Sequence, residues 1–512
     1  LPDWVTDDIR YELHKSTNRV TYRRMKEALD AVLETRSTRL AVFRDILMGD
    51  ERPKIKKDSA GKLSFQDETL NESQKKAVRL CLEAQDIALV HGPPGTGKTT
   101  ALVELVHQCV LRNEAVFITA PSNTACDNLL EKLVAKGIVA LRLGHPARIS
   151  ENLRDHTLDF KLALHPLGEE IAALEAELDR LYKRQERSRE PLLRDEIAER
   201  KRLIRDLRKD IFSRVMRETE VIVGTPTSIQ DKSIAERTFD LLIIDEATQA
   251  TEPMAWIPMA RAKKVVMAGD HFQLPPTVRC REAEEQGLGI TLFERFYDQL
   301  EPEFKQLLER QYRMNEKIMG FSSREFYKDL LIADDSVKTQ TLAGLKGVQK
   351  NPDTETPVLF IDTAGKGFEE KLEVGSESRY NPEEAALVLA ELKKMLDAGV
   401  PPETIAVISP YSAQVRLLSS KNPHPSLEID SVDGFQGREK ELVLVSLVRS
   451  NMEGEMGFLA DTRRMNVAMT RARRKLIVVG DSATLSSLKF YADFLKYAEE
   501  IGAYQSAWSR EE

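Results

Sequence analysis

The segment that most constrains the fold is a glycine-rich loop between a predicted strand and a predicted helix. The stretch 91–100 fits the phosphate-loop pattern, with Gly92, Gly97, Lys98 and Thr99 in register. The apolar run just before it predicts a short buried strand, and the residues after it predict a helix. A nucleotide site needs this context, because the loop N–H groups and the helix N-terminus together form a cavity for anionic phosphates.

Further strand-like runs alternate with helical segments along the rest of the chain. They lie at 115–119, 221–223, 241–244 and 264–268 in the first half, and at 358–361, 405–408, 442–445 and 476–479 in the second. This alternation indicates parallel sheets covered by helices, so the predicted fold class is α/β. We predict a helical stalk and linker over 1–65, one α/β domain over 66–305 and another over 306–512.

An insertion at about 166–217 departs from this alternation. It is dense in mixed charge, and a break at 188–191 separates two apolar stripes at helical spacing. The stripes are Ile171, Leu174, Leu178 and Leu181, then Leu193, Ile197, Ile204, Leu207 and Ile211. This pattern predicts a helical hairpin with one apolar seam. Its role stays open between a solvated structural projection and a lever that touches nucleic acid.

Bulk properties narrow the class of protein. The chain has 512 residues, which is too long for one hydrophobic core and favours several domains. No apolar run approaches the ~18 residues that indicate a membrane span. The net charge of −8 argues against a protein that coats nucleic acid by bulk charge, although a locally cationic channel is compatible with it. Four cysteines without C-x-x-C spacing predict reduced thiols, as in the cytosol or nucleus.

Two carboxylates follow the apolar run 241–244. Asp245 would lie at the carboxyl edge of the sheet, where the phosphate loop also ends. There Asp245 and Thr99 are suited to hold Mg²⁺, while Lys98 can reach the β- and γ-phosphates. Glu246 is suited to orient or deprotonate the attacking water, so the second carboxylate predicts hydrolysis and not nucleotide binding alone.

Phosphoryl transfer also needs cations against the charge that develops on the γ-phosphate. The candidates in the second half are Arg313, Arg471 and Arg473. If one of them reaches across from the second domain, the nucleotide binds in the cleft and closure is coupled to hydrolysis. On local sequence alone, surface arginines are the simpler interpretation.

Taken together, an ordered set of blocks resembles the superfamily 1 helicases over about 71–481. The blocks are 71–74, 91–100, 120–128, 223–225, 245–250, 269–276, 311–314, 431–439 and 463–473. Two of them, 433–439 and 466–473, look like superfamily 1B, in the group of the nonsense-mediated-decay helicase. The segments 20–24, 143–148 and 457–459 are similar to the branch of the immunoglobulin mu-binding-protein helicase and the DNA polymerase alpha-associated helicase A.

The resemblance implies two tandem RecA-like phosphate-loop domains that hydrolyse ATP with Mg²⁺ in their cleft. It implies translocation from 5′ to 3′ on single-stranded DNA or RNA. The implied catalytic residues are Lys98, Asp245, Glu246, Gln273, Arg313 and Arg471, with Gln273 sensing the γ-phosphate. The implied nucleotide contacts are Gln74 at the adenine edge, Tyr312 stacked on the adenine, Glu439 at the ribose, and Gly92, Pro93, Pro94, Gly95, Thr96, Gly97, Lys98, Thr99 and Thr100. The implied nucleic-acid contacts are Pro121, Ser122, Asn123, Thr225, Pro276 and Tyr411.

Partners and cell compartment follow from the same resemblance. It implies replication or translation proteins as partners, a monomer, no membrane, and a place in the nucleus or the cytoplasm. It does not decide whether the strand on which the protein acts is DNA or RNA. Members of this branch carry a small β-barrel beside the stalk, whereas residues 1–70 show no strand-rich block. We therefore expect a fragment or an internally trimmed chain, in which unwinding and strand affinity are the properties affected.

Three other functions compete with the helicase interpretation. An ATPase that remodels protein–nucleic acid complexes would carry the same motifs, so only activity separates it from a helicase. A nucleic-acid-binding scaffold with a dead nucleotide site is disfavoured by the intact Lys98, Asp245, Glu246 and arginines. A phosphate-loop GTPase or metabolic kinase is disfavoured by the second arginine-bearing half and by Gln74.

Overall fold

Two parallel β-sheets, one in each half of the chain, form the centres of the molecule. The computed structural model describes residues 19–144, 146–187, 191–230, 234, 237–422 and 424–510. The predicted helical stretch before residue 19 lies outside these ranges. The predicted α/β class with two tandem units is confirmed.

The first sheet has seven parallel strands in the order β3-β4-β2-β5-β6-β1-β7. The strands are β1 (Ile87–His91), β2 (Val116–Thr119), β3 (Ala140–Arg142), β4 (Val221–Gly224), β5 (Phe239–Ile244), β6 (Ala262–Gly269) and β7 (Lys305–Leu307). Strands β1 and β2 are buried along their whole length, as expected when helices cover both faces of a parallel sheet. Because β6 lies between β5 and β1, the loops that follow these three strands lie side by side at the carboxyl edge of the sheet.

Eleven helices of the described part belong to the first half of the chain. They are α1 (Arg19–Glu34), α2 (Arg39–Met48), α3 (Glu72–Glu83), α4 (Lys98–Val110), α5 (Asn123–Ala135), α6 (Leu158–Ala163), α7 (Gly168–Arg187), α8 (Pro191–Glu218), α9 (Glu252–Met259), α10 (Arg281–Ala283) and α11 (Leu292–Gln299). Helices α1 and α2 pack on the first sheet, since Val32 and Phe43 share a hydrophobic cluster with Phe117 and Leu242. The predicted domain boundaries stay a prediction.

The predicted helical hairpin is formed by α7 and α8. Its apolar seam is centred on Ile171, Ile204 and Ile211, with Leu174 and Leu207 packed against them. Ion pairs cross the seam, for example from Arg208 to Glu175 and from Arg200 to Glu177. The exposed charge and small core are those of a solvated two-helix projection.

The second sheet has six parallel strands in the order β14-β13-β15-β16-β10-β17. The strands of this half are β8 (Arg310–Gln311), β9 (Ile332–Ala333), β10 (Val358–Asp362), β11 (Lys371–Leu372), β12 (Arg379–Tyr380), β13 (Ile405–Ser409), β14 (Glu428–Ser431), β15 (Lys440–Ser446), β16 (Ala472–Gly480) and β17 (Tyr504–Ser506). The pairs β8–β9 and β11–β12 lie outside the main sheet.

Seven helices accompany the second sheet in the described part. They are α12 (Glu316–Phe326), α13 (Pro352–Glu355), α14 (Pro382–Asp397), α15 (Ser412–Ser420), α16 (Thr462–Met469), α17 (Ser482–Leu485) and α18 (Lys489–Glu500). Across the ranges that the structure describes, no helix has the length and apolarity needed to cross a bilayer.

Candidate active site

The loop between β1 and α4 is shaped by its glycines. Gly95 and Gly97 have φ angles of +77° and +72°, in the left-handed region that other residues adopt at a cost. A Cβ at Gly92 would lie 2.8 Å from the Lys98 side chain, and one at Gly97 would lie 2.5 Å from Gln74 Nε2. The loop therefore forms a cradle that side chains would fill, which fits the binding of a phosphate group.

The remaining residues of the loop hold this shape. Thr96 is buried, and its hydroxyl donates to the Pro93 carbonyl at 2.7 Å. Thr99 and Thr100 lie in the first turn of α4, where both are partly exposed. The predicted nucleotide contacts from 92 to 100 thus form one continuous concave segment at the carboxyl end of β1.

Lys98 contacts both carboxylates that follow β5. Its Nζ lies 2.9 Å from Asp245 Oδ1 and 2.7 Å from Glu246 Oε1. Burial alone would lower the pKa of Lys98, but the two carboxylates outweigh it and raise that pKa. Glu246 has a left-handed φ of +50°, and Gln249 Nε2 donates to its second oxygen at 2.9 Å. The Lys98 ammonium lies against these oxygens, and carboxylate oxygens are also the ligands that a hard divalent cation prefers.

Gln74 braces the loop from below. Its side chain is buried, and its amide donates to the Thr96 carbonyl at 3.0 Å. Its oxygen accepts from the Asn71 backbone N–H at 2.9 Å, which completes the capping box of α3. Asn71 also donates from Nδ2 to the Tyr312 hydroxyl at 3.0 Å. The two residues predicted to contact adenine are thus linked through Asn71.

The second half of the chain meets the loop at Tyr312 and Arg313. The Tyr312 backbone N–H donates to the Gly95 carbonyl at 2.8 Å. Arg313 donates to the Glu439 carboxylate and to the Thr470 carbonyl, the latter at 3.1 Å. The predicted γ-phosphate arginine and the predicted ribose carboxylate are therefore paired with each other beside the loop.

Arg471 reaches the first half of the chain from a buried position. Its Nη2 donates to Gln273 Oε1 at 3.0 Å, while Nε donates to the Val467 carbonyl at 3.0 Å. Burial and the neighbouring Arg313 lower the pKa of Arg471 to about 9, although Glu246 and other anionic groups oppose that shift. The interpretation of Arg471 as a surface residue is therefore wrong, since only 2% of it is exposed. Arg473, the other candidate, pairs with Glu441 at 3.1 Å.

Four of the predicted nucleic-acid contacts lie together at the carboxyl edge of the first sheet. Pro121, Ser122 and Asn123 follow β2, and Thr225 follows β4, which pairs with β2. Ser122 is exposed and caps α5 by accepting from the Ala125 N–H at 3.1 Å. These loops offer hydroxyl, amide and backbone groups on one partly exposed surface.

The other two predicted nucleic-acid contacts are buried. Pro276 lies inside the loop after β6, and only 2% of Tyr411 is exposed. The Tyr411 ring packs against Phe458 at 5.5 Å between centroids. Phe458 is 52% exposed, so it is the accessible aromatic ring at this position. Tyr411 is therefore enclosed, whereas Ser122 is exposed.

A buried polar network beside the loop has no counterpart among the predicted site residues. Its centre is Asp270, which contacts His91 Nε2 at 2.9 Å and accepts from the Tyr327 hydroxyl at 2.7 Å. Asn466 donates to that hydroxyl at 3.2 Å. The sequence could have indicated Asp270, because it directly follows the apolar strand β6 as Asp245 follows β5. No such signal existed for Tyr327, which lies outside the motif blocks.

Comparison with known proteins identifies relatives over most of the chain. Two family models, both described as an AAA domain, match residues 69–281 and 288–483. DNA-binding protein SMUBP-2 of Rattus norvegicus is 40% identical over 508 residues, which cover 97% of this chain and 51% of that protein. An uncharacterized ATP-dependent helicase of Methanocaldococcus jannaschii is 38% identical over 551 residues, covering 98% and 80%.

A third relative comes from a fungus. The DNA polymerase alpha-associated DNA helicase A of Schizosaccharomyces pombe is 36% identical over 518 residues, covering 98% of this chain and 77% of that protein. The chain spans about half the length of the SMUBP-2 proteins that it matches.

Proposed function

The chain belongs to the superfamily 1B helicases, and from this membership we propose that it hydrolyses ATP between its two domains to move from 5′ to 3′ along single-stranded DNA or RNA. The observation that carries the proposal is the hydrogen bond from Arg471 to Gln273. It joins a buried arginine of the second domain to the first domain beside the phosphate loop. An ATP bound there would be enclosed by catalytic groups of both domains.

The first domain would bind and orient the phosphates. Lys98 would exchange its contacts with Asp245 and Glu246 for the β- and γ-phosphate oxygens. This exchange would free Glu246 to accept a proton from the attacking water. Thr99 and Asp245 would hold Mg²⁺, which when bound supplies positive charge against the phosphate oxygens. The contacts that Asp245 and Glu246 make with the Lys98 ammonium support this assignment, because they show that both carboxylates face a positive charge.

The second domain would complete the site on closure. Arg313 and Arg471 would donate to the terminal phosphate as negative charge develops on it. Glu439, now paired with Arg313, would be released toward the ribose. Tyr312 would stack on the adenine. Gln74 would have to exchange its bonds to Asn71 and the loop in order to read the adenine edge.

A single strand of nucleic acid would lie along the carboxyl edge of the first sheet and continue on the second domain. Pro121, Ser122, Asn123 and Thr225 would contact its phosphates and sugars, which suits recognition without sequence preference. Pro276 and Tyr411 are buried, so a direct contact of either residue with the strand would require the loops around it to move. Opening and closing of the cleft with each ATP would then shift the two strand contacts relative to each other.

The strand on which the protein moves could be DNA or RNA, and both are proposed as substrates. Replication or translation proteins are proposed as partners. We propose a monomer that acts in the nucleus or the cytoplasm.

The test is the steady-state ATPase rate with and without single-stranded DNA and single-stranded RNA, at matched salt because strand affinity depends on it. We expect stimulation by at least one strand and preference for ATP over GTP. The control variant Lys98→Ala should show no turnover with either strand. A wild-type rate that neither strand changes would refute the coupled engine, and equal use of GTP would refute the adenine assignments.

A further inference from the structure

The loop after β6, residues 270–276, is connected to the first sheet but packs into the second domain. Leu274 is 2% exposed and lies in the hydrophobic cluster of the second domain, with Met314 and Phe321. Phe272 packs edge-on against Tyr327 at 5.5 Å between ring centroids. The loop that carries Gln273 is therefore held by both domains.

Asp270 organises this loop. Its side chain is buried, and it accepts from Gln273 Nε2 at 2.8 Å and from the Phe272 N–H at 3.2 Å. Burial would raise the pKa of Asp270, but the contact with His91 and the hydrogen bonds from Tyr327 and Gln273 outweigh it and lower that pKa. Asp270 is thus a buried carboxylate satisfied by donors from both domains, and it fixes the amide of Gln273 directly.

Tyr327 is the donor that comes from the second domain. It directly follows α12, is 3% exposed, and donates from its hydroxyl to Asp270 Oδ2 at 2.7 Å. Asn466, fully buried on α16, donates from Nδ2 to the Tyr327 hydroxyl at 3.2 Å and to the Phe272 carbonyl at 2.7 Å. Two side chains of the second domain therefore hold both ends of the segment 270–272.

The other end of the Gln273 amide is also set by the second domain, because its oxygen accepts from Arg471 at 3.0 Å. Gln273 is consequently oriented by Asp270 on one side and Arg471 on the other. Its position at the phosphate would be correct only while Tyr327 and Arg471 sit together against the first domain.

We propose that Tyr327 is a positioning residue for ATP hydrolysis, whose hydroxyl holds Asp270, and through it Gln273, in register with Arg471 when the cleft is closed. This inference rests on the proposed function. It assigns the sensing of domain closure to the pair Tyr327–Asp270, and it gives Asn466 the part of holding the Tyr327 hydroxyl in place.

The test is Tyr327→Phe, which removes one oxygen and keeps the ring that packs on Phe272. Loss of a hydrogen bond to a buried charge predicts a kcat lower by about tenfold or more. The KM for ATP should change by less than about twofold, because the proposal gives Tyr327 no contact with ATP and its effect on Gln273 concerns the transition state and not ground-state binding. The matched control is Tyr497→Phe, which removes a bond of 2.7 Å to the Lys317 carbonyl within the second domain.

A double-mutant cycle with Gln273→Ala tests the route. If Tyr327 acts through Gln273, the double variant should be no slower than Gln273→Ala alone. Additive losses would overturn the inference, as would a Tyr327→Phe variant with the kcat of Tyr497→Phe. A melting temperature far below that of Tyr497→Phe would show a structural role and would also overturn it. Failure of the proposed function would look different, since wild-type turnover would then not respond to any strand.

Discussion

The close approach of Arg313 to the phosphate loop makes Gly95→Ala a sharp test of a site shared by the two domains. A Cβ at Gly95 would lie 2.6 Å from Arg313 Cβ. Carbon atoms prefer separations of about 3.5–4.0 Å, so the second domain would have to retreat by about 1 Å there. The contact is with a Cβ next to the backbone, which cannot swing aside as the end of a flexible side chain could.

The expected loss follows from these numbers. A misplacement of about 1 Å at a catalytic group costs on the order of 10²-fold in rate. The methyl group also meets a φ of +77°, which costs a non-glycine residue roughly 1–2 kcal/mol of stability. Gly137→Ala is the matched control, because Gly137 has a φ of +75° and open space around it. Both variants should lose similar stability, whereas only Gly95→Ala should lose turnover.

The assay is strand-stimulated ATPase rate together with thermal unfolding of both variants. Affinity for a fluorescent ADP, measured on Gly95→Ala, separates a blocked cleft from a damaged loop. We expect that affinity to stay within about threefold of wild type, a difference of under 1 kcal/mol, because the loop N–H groups remain. Turnover of Gly95→Ala equal to that of Gly137→Ala would show that hydrolysis does not need Arg313 close to the loop.

Three further outcomes are expected. Glu246→Gln should keep ATP binding and lose about 10²–10⁴-fold in turnover, as expected for a general base, and normal turnover in a rate assay would exclude that role. Arg471→Ala should lower turnover by about 10³-fold or more, and it should lower the free energy of unfolding by about 1–3 kcal/mol because its buried acceptors lose their donor; an unchanged melting temperature would contradict its buried position. Burial raises the pKa of Glu384 to about 7 from 4.5, so its contribution to stability is present below pH 4.5 and is lost as pH rises through 7. In denaturant titrations, the free energy of unfolding of wild type minus that of Glu384→Gln should therefore be about 3 kcal/mol more positive at pH 4.5 than at pH 9. Parallel pH profiles of the two proteins would contradict the assignment.

Much of the fold could be read from the sequence because the central strands are continuous apolar runs. The predicted runs 241–244 and 476–479 lie within β5 and β16, which have neighbours on both sides. Within the two large sheets, the strands that the sequence does not indicate are the four edge strands β3, β7, β14 and β17. An edge strand has one neighbour and needs less apolar surface, so segments such as 305–307 and 428–431 resemble loops.

The position of the phosphate loop beside the two carboxylates could be predicted, because it depends on local order along the chain. A loop, a strand and a following carboxylate are enough to bring Lys98 to Asp245 and Glu246. Direct side-chain contacts between the domains outside the motif blocks could not be predicted, because no local pattern indicates which side chains meet. Tyr327 and Asp270, for example, are separated by 57 residues.

The sequence motifs also do not indicate which of their side chains are buried. Tyr411 matches a position that contacts the strand in the family, yet it is enclosed under Phe458. Whether an aromatic residue points outward depends on the packing of the loop 457–460, which has no periodic signal in the sequence.

The proposed function requires the two domains to form one ATP-driven motor that moves in a single direction. Streptavidin displacement from single strands that carry biotin at either the 5′ or the 3′ end measures that direction. We predict ATP-dependent displacement from the 3′ end, none from the 5′ end, and none from either end with Glu246→Gln. Displacement from the 5′ end, or none from either end while ATP is hydrolysed, would exclude 5′-to-3′ translocation.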